Sequence, residues 1–220
     1  MRSVQIAAGP TFVAAWIVGL VLAASGPSPD DSAATITRYF ADNEHTAMVA
    51  HLLIDGVAGL AIAATALSLH RFLPEGGRLR QTMLLAGLGA ALASLGQMAV
   101  GEALTYGAAN GSSSGSVKSL FTVLNEGDTM KIALLAVMIA AASTLGRRSG
   151  AFPRWFATAG LIFAPLLAVS GLAFPLGSGA LYASLDLTLL GLLTWVVVVT
   201  VVVARRPRPA DAVAEAAAVS

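Results

Sequence analysis

The chain has 220 residues, 56% of them hydrophobic and 11% charged, with a formal net charge of +1. Soluble domains carry about 25% charged residues, so this composition excludes a water-facing globular surface and indicates an integral membrane protein whose first partner is the lipid bilayer. Cysteine is absent, which removes disulfides, thiolate catalysis and Cys-based metal sites, and the basic residues sit in short loops rather than in a nucleic-acid-binding patch.

Six apolar segments follow in chain order, at about residues 4–24, 46–70, 81–104, 118–145, 156–175 and 181–204. Each reaches the ~20 residues that a spanning helix needs. Backbone groups in lipid must be satisfied within the segment, so helices are expected and the alternating pattern of a barrel is missing. The predicted fold is therefore all-α: a six-helix transmembrane bundle forming a single domain over residues 1–206, with a disordered cytoplasmic tail at 207–220.

The first segment has a rival reading as a cleaved signal peptide, because Arg2 precedes an apolar run that ends Leu22-Ala23-Ala24-Ser25. Its length, Pro10 and the missing A-x-A site favour a retained helix. In the connection at 25–45, residues Ser32 to Phe40 are expected to form a short amphipathic helix with Ile36, Tyr39 and Phe40 on one side. Such a helix lies at the membrane interface; the alternative is an ordered loop that caps the bundle.

Orientation follows from the basic residues. Arg71, Arg78 and Arg80 follow the second segment, Arg147, Arg148 and Arg154 the fourth, and Arg205, Arg206 and Arg208 the last. The alternate loops hold Arg38 among Asp30, Asp31, Asp42 and Glu44, then GSSSGS with Lys118, then Gly177-Ser178-Gly179. The positive-inside rule puts both termini in the cytoplasm. Arginine in excess of lysine, with abundant alanine, indicates a bacterial source, hence a multi-pass protein of the cytoplasmic (inner) membrane.

The segment TRYFADNEHT at 37–46 leads straight into the second helix, and FPRWF at 152–156 opens the fifth. Together they resemble a broad group of bacterial polytopic membrane proteins known as a domain of unknown function. In that group a "YYADN"-like segment precedes the second helix and a Pro-Arg-Trp turn opens a late one. The resemblance implies a multi-pass membrane fold and brings no activity, cofactor or catalytic residue with it.

The fourth segment carries the informative conflict. Its clean apolar part, Ile132 to Leu145, is too short to cross a bilayer, yet Asn125, Glu126, Asp128 and Lys131 crowd the two turns before it. Charges at a helix centre cost at least about 2.5–3.5 kcal/mol each on insertion scales, so they mark a candidate site. With helices two, four and six running inward, Asp55 lies roughly 13 Å below the outer end of helix two and Asp128 roughly 12–15 Å below that of helix four. Gln97 lies roughly 10 Å down, and Glu102 and Asp186 under ~8 Å. All fall in the outer half, which predicts one outward-facing acidic polar chamber lined by His51, Asp55, Gln97, Glu102, Asn125, Glu126, Asp128, Lys131 and Asp186.

Asn125, Asp128 and Lys131 recur at three-residue spacing and share a face, and Asp128 with Lys131 and His51 with Asp55 are spaced to pair. Both have a structural reading, Asp128–Lys131 as an ion pair fixing helix register and His51–Asp55 as an intrahelical hydrogen bond. The functional reading rests on charge: Asp55, Glu102, Glu126, Asp128 and Asp186 face Lys131 and His51, so a small cationic solute or protons would balance the excess acid. No compact metal motif, Walker loop, dinucleotide fingerprint or nucleophile–base pair is present, and Ser170 and Thr188 have no base placed beside them by any motif. The expected function is a non-enzymatic membrane protein, without cofactor or metal, that binds or passes a small cation or protons. Two alternatives stand beside it: an intramembrane enzyme acting on a lipid or isoprenoid at the outer leaflet, and a structural or regulatory subunit pairing with itself or a membrane partner.

Overall fold

The computed structural model describes residues 2–73, 77–176 and 179–205, and among these every regular element is a helix. In chain order they are α1 (Arg2–Ala23), α2 (Ala33–Asp42), α3 (Glu44–His51), a π-helical turn (Leu52–Val57), α4 (Ala58–Phe72), α5 (Gly77–Ala109), α6 (Ser114–Ser149), α7 (Arg154–Ser170), α8 (Ala173–Leu176) and α9 (Gly179–Arg205). The expected tail at 207–220 and the Gly177–Ser178 part of the last loop lie outside the described residues.

All six apolar segments are helical, but they are unequal. Glu44–Phe72, Gly77–Ala109, Ser114–Ser149 and Ser184–Arg205 are long and apolar enough to cross a membrane, whereas Ala7–Ala23 and Arg154–Ser170 are shorter apolar helices. The fifth segment stops at Ser170 rather than near 175. Gly171 and Leu172 form a turn there, and the carbonyl of Gly171 accepts a hydrogen bond from Thr129 Oγ1 at 3.2 Å. Gly171 also lies against Ile132, where a Cβ would be 2.8 Å from the isoleucine side chain.

The helices close into a ring in which α1 packs on α4 and α9, α4 on α5, α5 on α6, α6 on α7, and α7 on α9. Small residues set the spacing, as they do wherever membrane helices approach closely. Gly87 of α5, for example, seats Ala66 of α4 and Met138 of α6. The core between them holds Leu69, Met83, Ala90, Met138, Ile139, Ala142 and Val199, each 2% exposed or less.

The arginines gather at one end of this ring. Arg80 Nε donates to the His70 carbonyl at 2.8 Å, Phe72 stacks on Phe152, and Arg147 and Arg148 end α6. At the opposite end α2 packs across the ends of α5 and α6. Its Ile36 and Phe40 are buried with Leu104, Ala108, Val117 and Phe121 of α5 and α6. Ser32 Oγ caps α2 by accepting from Thr35 N, and Lys118 ties the preceding loop down by donating to the carbonyls of Pro29 and Asp31.

α6 resolves the conflict in the fourth segment by length. Its 36 residues rise about 54 Å, far more than the ~30 Å hydrocarbon core. Lys131 then stands roughly 24 Å along the axis from Arg147, Asp55 roughly 24 Å from Arg71, and Gln97 roughly 26 Å from Arg80. These groups thus stand at one level, about equally far from the end of the bundle where Arg71, Arg80 and Arg147 lie.

Candidate functional site

Six of the residues singled out from the sequence meet at that level. Lys131 Nζ donates to Asp55 Oδ1 at 2.9 Å and lies 2.7 Å from Asp128 Oδ1, so a single ammonium bridges two carboxylates. His51 Nδ1 is 3.7 Å from the other oxygen of Asp55, one turn along the same rod. Gln97 Nε2 donates to Asp128 Oδ1 at 3.0 Å and to the Leu124 carbonyl at 2.8 Å, which leaves Gln97 Oε1 buried without a partner. Asn125 completes the set; its Nδ2 donates to the Phe121 carbonyl one turn back.

Burial is uneven within the cluster. The side chains of Asp55 and Lys131 are 6% and 10% exposed, whereas Asp128 retains 28% and is the most open of the three. Two buried charges are costly to desolvate, and their attraction compensates only where further hydrogen bonds satisfy them. Here Lys131 has both carboxylates, and Asp128 Oδ1 has a second donor in Gln97.

The π-turn aims Asp55. The N–H of Ala58 bonds to the Leu53 carbonyl five residues back, as well as to that of Asp55, so one residue more than an α-helix holds is accommodated here. π-turns recur at functional sites because they re-aim side chains within an otherwise continuous helix. Asp55 and Gly56 are both buried in it, with Gly56 against Met98 of α5. Gly101 makes the corresponding space for His51: a Cβ there would lie 2.5 Å from the imidazole. Phe40 of the α2 cap stacks on that imidazole, with centroids 6.2 Å apart and planes 17° from parallel. The face of the cluster expected to open outward thus has an aromatic side chain seated on it.

The cluster forms one wall of a cavity of about 310 Å³. Ser94 joins the polar end, 1% exposed and with its hydroxyl unpartnered. The remaining walls are apolar: Phe12, Trp16 and Leu20 of α1, Ile62 of α4, Leu135 of α6, and Leu185, Leu189 and Leu192 of α9. The site is therefore amphipathic, with charge at one end and a hydrocarbon-like remainder.

Three expected members do not line this cavity. Glu126 and Asp186 are exposed and Glu102 is half-buried. Helix geometry gives the reason. Glu126 follows Asn125, and Asp186 follows Leu185, each by one residue and hence about 100° around its helix from the lining face. Glu102 is five residues from Gln97, about 140° away. Missed from the sequence were the α1 wall, the contribution of α9 through leucines, the π-turn, and Ser94 as a lining residue. Phe12, Trp16 and Leu20 do recur every fourth position, which was the available signal.

Among the described residues no three His, Cys, Asp or Glu side chains converge as metal ligands. Ser170 Oγ bonds to the Leu167 carbonyl and to Thr188 Oγ1, so no base activates it. Neither a protein-family model, a curated protein nor a solved structure matches the chain.

Proposed function

We propose that this is a six-span protein of the cytoplasmic membrane, with both termini cytoplasmic, which binds a cation in a chamber in its outer half. The observation that carries the reading is the charge balance at the chamber wall. Asp55 and Asp128 share the one ammonium of Lys131, so two carboxylates face a single lysine. A buried uncompensated charge in a membrane is costly, and a bound cation or proton removes it.

Binding or alternating access fits better than an open pore. On α4, α5 and α6 the stretches between the cluster and the arginine end carry no ionisable residue at 58–69, 81–96 and 132–146. An ion would meet no charged side chain along them.

The exposed acids give limited support to the alternative of a subunit that pairs with a partner helix. Glu126 lies roughly 32 Å from Arg147 and Asp186 roughly 29 Å from Arg205, which is the hydrocarbon boundary, where water and headgroups reach them. They need no partner.

Asp128→Asn tests the reading directly. Sodium, ammonium or a small organic cation added to the purified protein should raise the thermal midpoint of the wild type by a few degrees. The variant should enter the membrane normally and show no such shift. A variant that keeps the shift, or a wild type that shows none with any cation, would remove the proposal.

A further inference from the structure

We infer that the occupant of this chamber is a lipophilic primary amine, an ammonium group carried on an apolar body; this rests on the cation reading above and narrows it. Size excludes a bare ion as the full occupant. A water molecule takes about 30 Å³ in the liquid, so a cavity of about 310 Å³ has room for roughly ten. An inorganic ion would fill a small part of it and leave the rest to apolar walls that cannot hydrate it. The volume sits at the lower end of the range for small-molecule pockets, about 300–1,000 Å³.

The polar end specifies the headgroup. Lys131 and Gln97 both reach Asp128 through Oδ1, so Oδ2 remains as an acceptor. Gln97 Oε1 is a buried carbonyl oxygen without a partner, its amide nitrogen being committed to Leu124 and Asp128. Ser94 Oγ is also without a partner but is closed in against Gly59 of α4. A primary ammonium has three N–H donors and no acceptor, which complements the open Oδ2 of Asp128. A carboxylate or phosphate headgroup would face two aspartates, and Lys131 is already shared between them. A quaternary ammonium has no N–H and would leave the acceptors unsatisfied, which is costly for buried groups.

The body of the ligand is set by the other walls. Phe12 and Trp16 of α1 line the chamber together with Leu135 of α6 and Leu189 and Leu192 of α9, and apart from the indole N–H of Trp16 these side chains carry no hydrogen-bonding group. Burial of apolar surface there adds affinity with each methylene, to the point where the chamber is full.

The test is a series of n-alkylammonium chlorides, from ethyl to octyl, on the purified full-length protein in nanodiscs. Binding is read as thermal shift and as a change in tryptophan fluorescence from Trp16. Asp128→Asn, measured alongside, subtracts simple partitioning into lipid. Affinity should rise roughly four-fold per methylene and then level off. The matching 1-alkanols and alkyltrimethylammonium ions should bind at least tenfold more weakly, and Leu189→Phe should move the plateau to shorter chains. If sodium or ammonium protects the wild type in an Asp128-dependent way and chain length has no effect, the cation reading stands and this inference falls. Alkanols binding as tightly as the amines would also overturn it. If nothing distinguishes wild type from Asp128→Asn, both fall together.

Discussion

Replacing Lys131 by methionine should cost about 3–5 kcal/mol of stability, the usual penalty for breaking a buried pair from one side. The ammonium is the only cation between Asp55 and Asp128 among the described residues apart from a neighbouring imidazole, and both bonds to it are short, at 2.9 and 2.7 Å. Its loss leaves two carboxylates facing one another in a site of low polarity. The expected measurement is a large fall in thermal midpoint in detergent, with reduced recovery from the membrane fraction. Adding Asp55→Asn and Asp128→Asn to Lys131→Met should return most of the loss, because the triple variant carries no charge there. A Lys131→Met protein as stable as wild type would show that the triad contributes nothing to holding the bundle.

Gly101→Val should be the most damaging of the glycine substitutions around the site, costing about 1–3 kcal/mol through overpacking. The new Cβ lies 2.5 Å from the His51 ring and has no room to move, since Phe40 is stacked on that ring. The imidazole is displaced, its contact with Asp55 is lost, and the seat of Phe40 goes with it. Limited proteolysis should then cut the connection before α2, which the wild type protects by burying Ile36 and Phe40. Gly96→Val, five residues earlier on the same helix, is the control: a Cβ there meets nothing within 4 Å. Equal loss in the two variants would mean that helix propensity, not the His51 contact, accounts for the cost.

Much of this arrangement was legible in the residues, for reasons that also mark where reading stopped. Charge in an apolar helix is so costly that it has to converge, and Asp55, Gln97, Asn125, Asp128, Lys131 and His51 do lie together in the structure. Three-residue spacing put Asn125, Asp128 and Lys131 on one face, and all three line the cavity. Glu126, Glu102 and Asp186 lie off the cavity because of rotation about the helix, a turn of about 100° that sequence spacing already gives for Glu126 relative to Asn125. The apolar walls were legible only in the four-residue recurrence of Phe12, Trp16 and Leu20. In α1, Phe12 faces inward while Ile17, Val18 and Val21 are exposed, and all of them are equally hydrophobic. A helix in lipid loses the polar stripe that reveals its buried side in water. The π-turn leaves no mark in composition, since Leu52–Val57 reads as an ordinary apolar run broken by one acid and one glycine.

That turn ties the length of the chain to the geometry of the site. A π-turn absorbs its extra residue locally, so the helix before it and the helix after it keep the phase of a continuous α-helix. Take one residue out of Leu52–Val57 and the wide turn closes to an α-turn. α3 and α4 then hold their seats, and what moves is the stretch that carries Asp55 and Gly56. The number of residues here thus sets where one acid is held without disturbing the imidazole or the cap around it.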